Sequence, residues 1–334
     1  MAVHCGLTAE ALHTLARLRA EVSHLAPVDT TLVVYGSLAR HEFTDGSDID
    51  WTLLVDGLAD PDHQNQAQRI GDRLREKGFR APAPGGAFGN LTFSHDLIHR
   101  IGGEDDSNHN TTQRLLLLLE SLPASHSGAY DRVVANVLAR YIEEDLVSPF
   151  DTPYRVPRFL QNDVARYWRT MAVDFAHKRR VRSARGWALR TAKLRMSRKL
   201  MYAAGLLSCF SCETAFRDAR CKHPASCTAD VVEFLSEMVG STPLDIVARV
   251  VLSYFGELSG AAGALFGAYD QFLGILHDPE RREHLEQLAP ARADSDPEYQ
   301  RVREIGQRFQ DGLTELFFPR DTPLGGLTMR YGVF

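Results

Sequence analysis

Apolar positions near the start of the chain recur with the period of a helix: Leu12, Leu15, Leu18, Val22 and Leu25 follow at steps of three and four from Thr8 onward, and Pro27 closes the pattern. The pattern then changes. Thr31 to Tyr35 is a short, β-branched run that predicts a strand, and beyond Gly36-Ser37 a second strand is expected over about Asp48 to Val55. Leu38 to Glu42 leaves room only for a short helical turn before Asp45-Gly46. His63 to Lys77 reads as a polar helix stopped by Gly78, and Phe79 to Phe93 as a Pro/Gly-rich loop with another strand. Asn110 with Gln113 reads as a capping box for a helix over Thr111 to Ser121, and a further helix is expected over Tyr130 to Asp145.

Ser148 to Phe159 contains Pro149, Pro153 and Pro157, and beyond it the periodicity is helical almost throughout. Leu160, Val164, Trp168, Met171 and Phe175 mark one helix, and Leu189, Ala192, Met196, Leu200, Ala203 and Leu207 mark the next. Others are expected over Ala229–Met238, Pro243–Leu258, Ala262–Leu276, Glu280–Leu288 and Pro297–Leu316; Thr328 to Phe334 reads equally as a strand or a packed tail. The fold class expected is α+β: a small mixed sheet domain over residues 1–150, followed by an all-helical domain over 151–334.

Composition, at 44% hydrophobic and 24% charged, is that of a globular protein and argues against extended disorder. Met1 to Glu21 carries polar residues throughout and so does not read as a secretory signal, and Ala261 to Leu276 is interrupted by Asp270 and Gln271 and too short to span a bilayer. A cytosolic chain with no transmembrane segment is expected. The net charge of -5 conceals an asymmetry, because Arg155 to Lys199 holds 14 Lys and Arg against two acids, Asp163 and Asp174. Such a band suits a polyanion, a nucleotide triphosphate or a nucleic acid; a solvated helix surface is the plainer alternative.

The chemistry concentrates in VVYGSLARHEFTDGSDIDW, Val33 to Trp51. A strand running into Gly36 lets backbone amides approach a phosphate, and Ser37 adds a hydroxyl. Asp48 and Asp50, two residues apart on the expected strand, would project from one face while Ile49 points to the other. Carboxylates so placed suit two magnesium ions roughly 4 Å apart, or manganese in their place, holding a nucleoside triphosphate for in-line attack at its α-phosphate. Arg40 could touch phosphate or serve as a local ion-pair partner. His41, His95 and His99 have no spacing that demands a metal.

A Gly-Ser loop, a short helix and an Asp-x-Asp strand resemble the signature of the DNA polymerase beta-like nucleotidyltransferase superfamily, strongly over Leu32 to Val55 and elsewhere only in architecture. The phrase GSLARHEFTDGSDIDW is also similar to the bacterial branch that includes nitrogen-regulatory uridylyltransferases. The resemblance implies a catalytic domain with a helical partner domain, and a third carboxylate on a later strand acting as metal ligand and base. Asp96 is the first choice for it, with Glu104, Asp105 and Asp106 competing.

On a helix over Gly186 to Leu207, Leu189, Met196 and Leu200 share one face and Trp187, Leu194 and Met201 another, with Arg190, Lys193 and Ser197 between them. Wedged between domains, such a helix would bring Arg190 and Lys193 to the β and γ phosphates; superfamily members with helical second domains use a Lys and a Ser in this way, a pattern that Lys193 and Ser197 match. Snorkelling cations at a buried helix edge are the alternative.

Cys209, Cys212, Cys221 and Cys227, with His223 nearby, could close a structural zinc site, against the reading of buried free thiols. The function expected is transfer of a nucleoside monophosphate from an NTP to a hydroxyl acceptor, which the sequence leaves open among protein, RNA, a small molecule and a second nucleotide. A non-catalytic nucleotide sensor or interaction module on the same fold is the rival, and a toxin or defence enzyme a third possibility.

Overall fold

In a computed structural model, residues 2–82, 87–145, 156–181, 186–216 and 224–332 are described. In chain order the elements are α1 (Ala2–Val22), β1 (Thr30–Tyr35), α2 (Gly36–Ala39), β2 (Asp50–Val55), α3 (Pro61–Glu76), β3 (Asn90–Phe93), α4 (Ser94–Ile98), α5 (Asn108–Leu119), β4 (Ser121–Pro123) and α6 (Gly128–Asp145). They continue with α7 (Arg158–Val181), α8 (Trp187–Lys193), α9 (Lys199–Ala215), α10 (Pro224–Val239), α11 (Pro243–Tyr254), α12 (Ser259–His277), α13 (Pro279–Gln287), α14 (Pro297–Phe317) and α15 (Pro323–Leu327). The α+β class is as expected, a small mixed sheet with a predominantly helical remainder. Two compact units emerge: Gly6–Asp151 with Cys221–Thr242, and Met1–Cys5 with Thr152–Arg220 and Pro243–Phe334. The helix expected over Ala229–Met238 is α10, which packs on α6 in the sheet-bearing unit.

The sheet runs in the order β3-β2-β1-β4. β1 pairs antiparallel with β2, Thr30 opposite Val55 and Tyr35 opposite Asp50, and also with β4, Tyr35 opposite Ser121. β2 and β3 are parallel, with Thr52 beside Asn90 and Val55 beside Phe93. Alternation divides the side chains: Leu32, Val34, Trp51 and Leu53 enter one core with Leu15, Leu18 and Val22 of α1 and Ala67, Ile70 and Leu74 of α3. On the other face Thr31 Oγ1 donates to the His126 carbonyl at 2.8 Å and accepts from the Tyr130 amide at 3.2 Å, tying β1 to the start of α6.

The buried stripe of α1 is Leu7, Ala11, Leu15, Leu18 and Val22, while Leu12 is 49% exposed. Leu12 and Leu15 are both apolar, so spacing alone left the stripe's edge open. α3 starts where Asp60 accepts from the Asp62 amide and Pro61 occupies the first turn, and it buries His63, Ala67, Ile70 and Leu74. The expected Asn110–Gln113 capping box does not form. Ser107 caps α5 instead, accepting from the Asn110 amide at 3.2 Å, while Asn110 Nδ2 donates to the Asp105 carbonyl and Gln113 Nε2 to Thr92 Oγ1. β4 was not expected, because Leu115 to Leu119 are all buried and carry no period that marks where helix gives way to strand.

In the helical unit α12 and α14 pack most closely, and Gly312 permits it: a Cβ there would lie 3.1 Å from Leu265 Cβ and 3.3 Å from the Ala261 carbonyl. The helix expected over Gly186 to Leu207 is α8 joined to α9 through a π-helical turn, Leu194–Arg198. Of the two readings of the chain's end, the strand does not form over its described part: Thr328–Gly332 is a second π-helical turn, with Thr328 buried. No helix among the described residues is long and apolar enough to cross a membrane.

Candidate active site

β1 ends at Tyr35, and Gly36 turns the chain into α2 with a φ of 69° that side-chain-bearing residues rarely adopt. Asp50, opposite Tyr35, opens β2. The two meet closely: a Cβ on Gly36 would lie 3.2 Å from Asp50 Oδ2. Gly36 is itself buried, and its missing side chain lets the backbone and the part-exposed carboxylate of Asp50 come together in one place. The first-turn amides of α2 have no carbonyl within the helix to receive them, and Ser37 beside them is part-exposed.

Asp48 lies in the loop just before β2 rather than on the strand, and it is exposed; Asp50 is part-exposed. Ile49 between them is 1% exposed and held in the core, its amide donating to the Arg80 carbonyl at 2.9 Å. Thr44 Oγ1 and Ser47 Oγ are hydrogen-bonded at 3.0 Å, and the Ser47 amide donates to the Thr44 carbonyl at 2.8 Å, closing the turn that precedes Asp48. The donor set suits a hard cation of the magnesium type, which takes one or two carboxylates and completes its shell from phosphate oxygens and water. No group of three or more His, Cys, Asp and Glu side chains placed to hold a metal occurs among the described residues.

Asp96 is not brought to this place. Because β3 runs parallel to β2 with Phe93 beside Val55, Asp96 follows at the far end of the sheet, separated from Asp50 by the length of β2, roughly 16 Å. It pairs with Arg100 at 2.9 Å on the surface. Of its competitors, Glu104 and Asp105 are exposed, and Asp106 is buried against Arg114, whose guanidinium reaches its two oxygens at 3.2 and 2.9 Å. Arg114 is itself fully buried and also donates to Tyr141 Oη at 2.7 Å, so this acid neutralises a core arginine.

Two further acids at the Gly36 end of the sheet, Glu42 and Glu120, are ones that spacing did not single out. Arg40 is buried; its Nε donates to Glu42 at 2.8 Å and its Nη1 to Glu120. The backbone is drawn into the same knot: Gly36 donates to the Glu120 carbonyl at 3.3 Å, Arg40 to the Gly36 carbonyl at 2.9 Å and Glu42 to the Ser37 carbonyl at 2.8 Å. Of the two roles open to Arg40, the geometry displays the ion pair, which pins the loop from beneath. His41, next along, holds a φ of 58°. Glu120 escaped sequence reading because it follows an unpatterned run of leucines; the only signal was a lone acid among buried neighbours.

The remaining candidates belong to the helical unit. Ser197 is 3% exposed and accepts from Tyr269 Oη at 3.1 Å, joining the π-helical turn to α12. Arg190 and Lys193 are part-exposed on α8, and Arg190 Nη1 lies 3.2 Å from where a Cβ on Gly186 would be. The π-helical turn adds a residue to the helical repeat, so the 100° spacing that grouped these three side chains breaks at Leu194. Cys209 and Cys212 are buried free thiols on α9, the latter's thiol raised well above its ordinary value by burial. Cys221, His223 and the side chain of Cys227, the other members of the conceived zinc site, lie outside the described residues.

No curated protein matches the chain. A family model described as "Putative nucleotidyltransferase DUF294" matches residues 1–89, a span that takes in Gly36, Ser37, Arg40, Asp48 and Asp50. The amino-terminal part of the chain, from α1 to the loop before β3, is therefore similar to a nucleotidyltransferase-like family.

Proposed function

We propose that the chain transfers a nucleoside monophosphate from an NTP to a hydroxyl acceptor with release of pyrophosphate. The observation that carries this reading is the approach of Asp50 Oδ2 to Gly36 at the end of β1, which sets a carboxylate beside the turn into α2. Asp48 and Asp50 would hold the metal, and Gly36 and Ser37 the phosphates. A bound magnesium ion supplies neutralisation of triphosphate charge and a lowered pKa for the attacking hydroxyl. The protein's own contribution is position: Arg40, clamped between Glu42 and Glu120, keeps the loop in place, and Ile49, anchored in the core, sets the direction of the acids on either side. A cytosolic setting suits such chemistry, since NTPs are there.

A second reading has an observation in its favour. With Asp96 at the opposite end of the sheet and Glu42 and Glu120 bonded by Arg40, a third acid beside Asp48 and Asp50 is not apparent among the described residues, as a nucleotide sensor would have it. Incubating the full chain with magnesium and each of the four labelled NTPs, with cell extract as the source of acceptor, separates the two. The transfer reading expects pyrophosphate release and label on an acceptor. Saturable NTP binding without pyrophosphate release would leave the sensor.

A further inference from the structure

The sheet-bearing unit holds a cleft of about 360 Å³ between α3 and the segment leading into β3, within the roughly 300–1,000 Å³ typical of small-molecule sites. Its wall is aromatic. Trp51, almost entirely buried, presents its ring edge beside Gly71 of α3, where a Cβ would lie 3.4 Å from Trp51 Cζ2; Phe79, packed on the same core, lines the cleft with it. Phe79 is braced by the Arg17 guanidinium 5.3 Å from its ring centre, whereas the Phe88 ring packs on Tyr35, 5.2 Å between centres, on the other face of the sheet. The polar lining is Arg75, Arg80 and two glutamines, with no acid among the lining residues.

Rigid aromatic walls select a planar ring, and a rim with two guanidinium groups and no carboxylate selects an anion. Arg75 is partly committed to Asp72, whereas Arg80 donates to the Gly46 carbonyl at 3.3 Å, a neutral acceptor that an anion outcompetes. We propose that this cleft is a nucleoside monophosphate site, distinct from the Gly36 loop, with the base against Trp51 and Phe79 and the phosphate on Arg80. Arg80 also ties the cleft to the loop that carries Asp48, since its carbonyl receives the Ile49 amide and its side chain bonds Gly46. Binding at the cleft does not depend on the transfer reading.

The test is calorimetric titration of the full chain with AMP, adenosine and inorganic phosphate, in EDTA so that no metal recruits nucleotide to Asp48 and Asp50. AMP is expected to bind with one site per chain, adenosine about tenfold more weakly and phosphate not measurably. Arg80→Gln is expected to weaken AMP about tenfold, and Gly71→Leu, which places a helix-favouring residue in α3 while filling the cleft, to abolish binding. The double variant Asp48→Ala with Asp50→Ala is expected to bind AMP within about twofold of the parent. Circular dichroism of each variant keeps loss of binding apart from loss of fold. AMP binding that survives Gly71→Leu, that vanishes in the double aspartate variant, or that is absent from the parent overturns the proposal; the second outcome would move the nucleotide to the Gly36 loop and leave the transfer reading standing.

Discussion

Asp50 stands directly across the antiparallel pair from Tyr35, and its Oδ2 lies 3.2 Å from the point at which Gly36 would carry a Cβ. One residue thus sets the room available to the other. A methyl group at position 36 would press on the carboxylate while forcing an L side chain into a left-handed backbone. Gly36→Ala is therefore expected to lower stability by about 1–2 kcal/mol and to reduce NTP affinity, with urea unfolding and nucleotide titration as the two measurements. Unchanged values of both would remove the close approach from the account.

Substituting Asp50 tests the chemistry with little cost to the fold, because the side chain is part-exposed at the first position of its strand. Asp50→Asn is expected to cut magnesium-dependent pyrophosphate release by at least about 100-fold, with a melting temperature within a few degrees of the parent. Asp48→Asn, in an exposed loop position, should lose activity to a similar degree. Retention of full turnover in either would detach the metal from that carboxylate.

Arg40 is held between two acids in a dry setting, so its loss removes a guanidinium that bonds two buried carboxylates. Arg40→Met is expected to destabilise the protein by about 3–5 kcal/mol, and adding Glu42→Gln together with Glu120→Gln to recover much of that. If Arg40 instead served mainly to touch phosphate, the single variant would unfold like the parent and only nucleotide affinity would fall.

Asp296 gives a dependence on pH. Desolvation pushes its carboxyl up, but hydrogen bonds from the Tyr299 amide and from His284, 2.7 Å away, outweigh this and leave it below the ordinary 3.8. A folded value below the unfolded one means that the ionised form stabilises the native state, so the contribution is complete above about pH 4 and is lost as pH falls through the folded value. Asp296→Asn, which keeps the capping oxygen of α14, is expected to lower stability by less than about 1 kcal/mol near pH 7, with the gap to the parent narrowing as pH falls below the ordinary carboxyl range, as read by thermal unfolding across that range.

Local rules made much of the molecule legible in advance. A strand broken by Gly36, an acid pair flanking an apolar residue and the glycine that follows α3 are decided by φ/ψ limits and by periodicity within a few residues, and these features stand in the structure nearly where the sequence puts them. The helical character of the second half is legible for the same reason. Pairing direction is not. Whether β3 lies parallel or antiparallel to β2 depends on how the intervening α3 crosses the sheet, and that decision sends Asp96 to the end opposite Asp50. Arg40, Glu42 and Glu120 come together only because β4 returns beside β1, a contact between residues 80 apart in the chain. A single sequence writes down the loop that could meet a nucleotide, but burial and strand order, which depend on the whole chain at once, choose the charged groups that surround it.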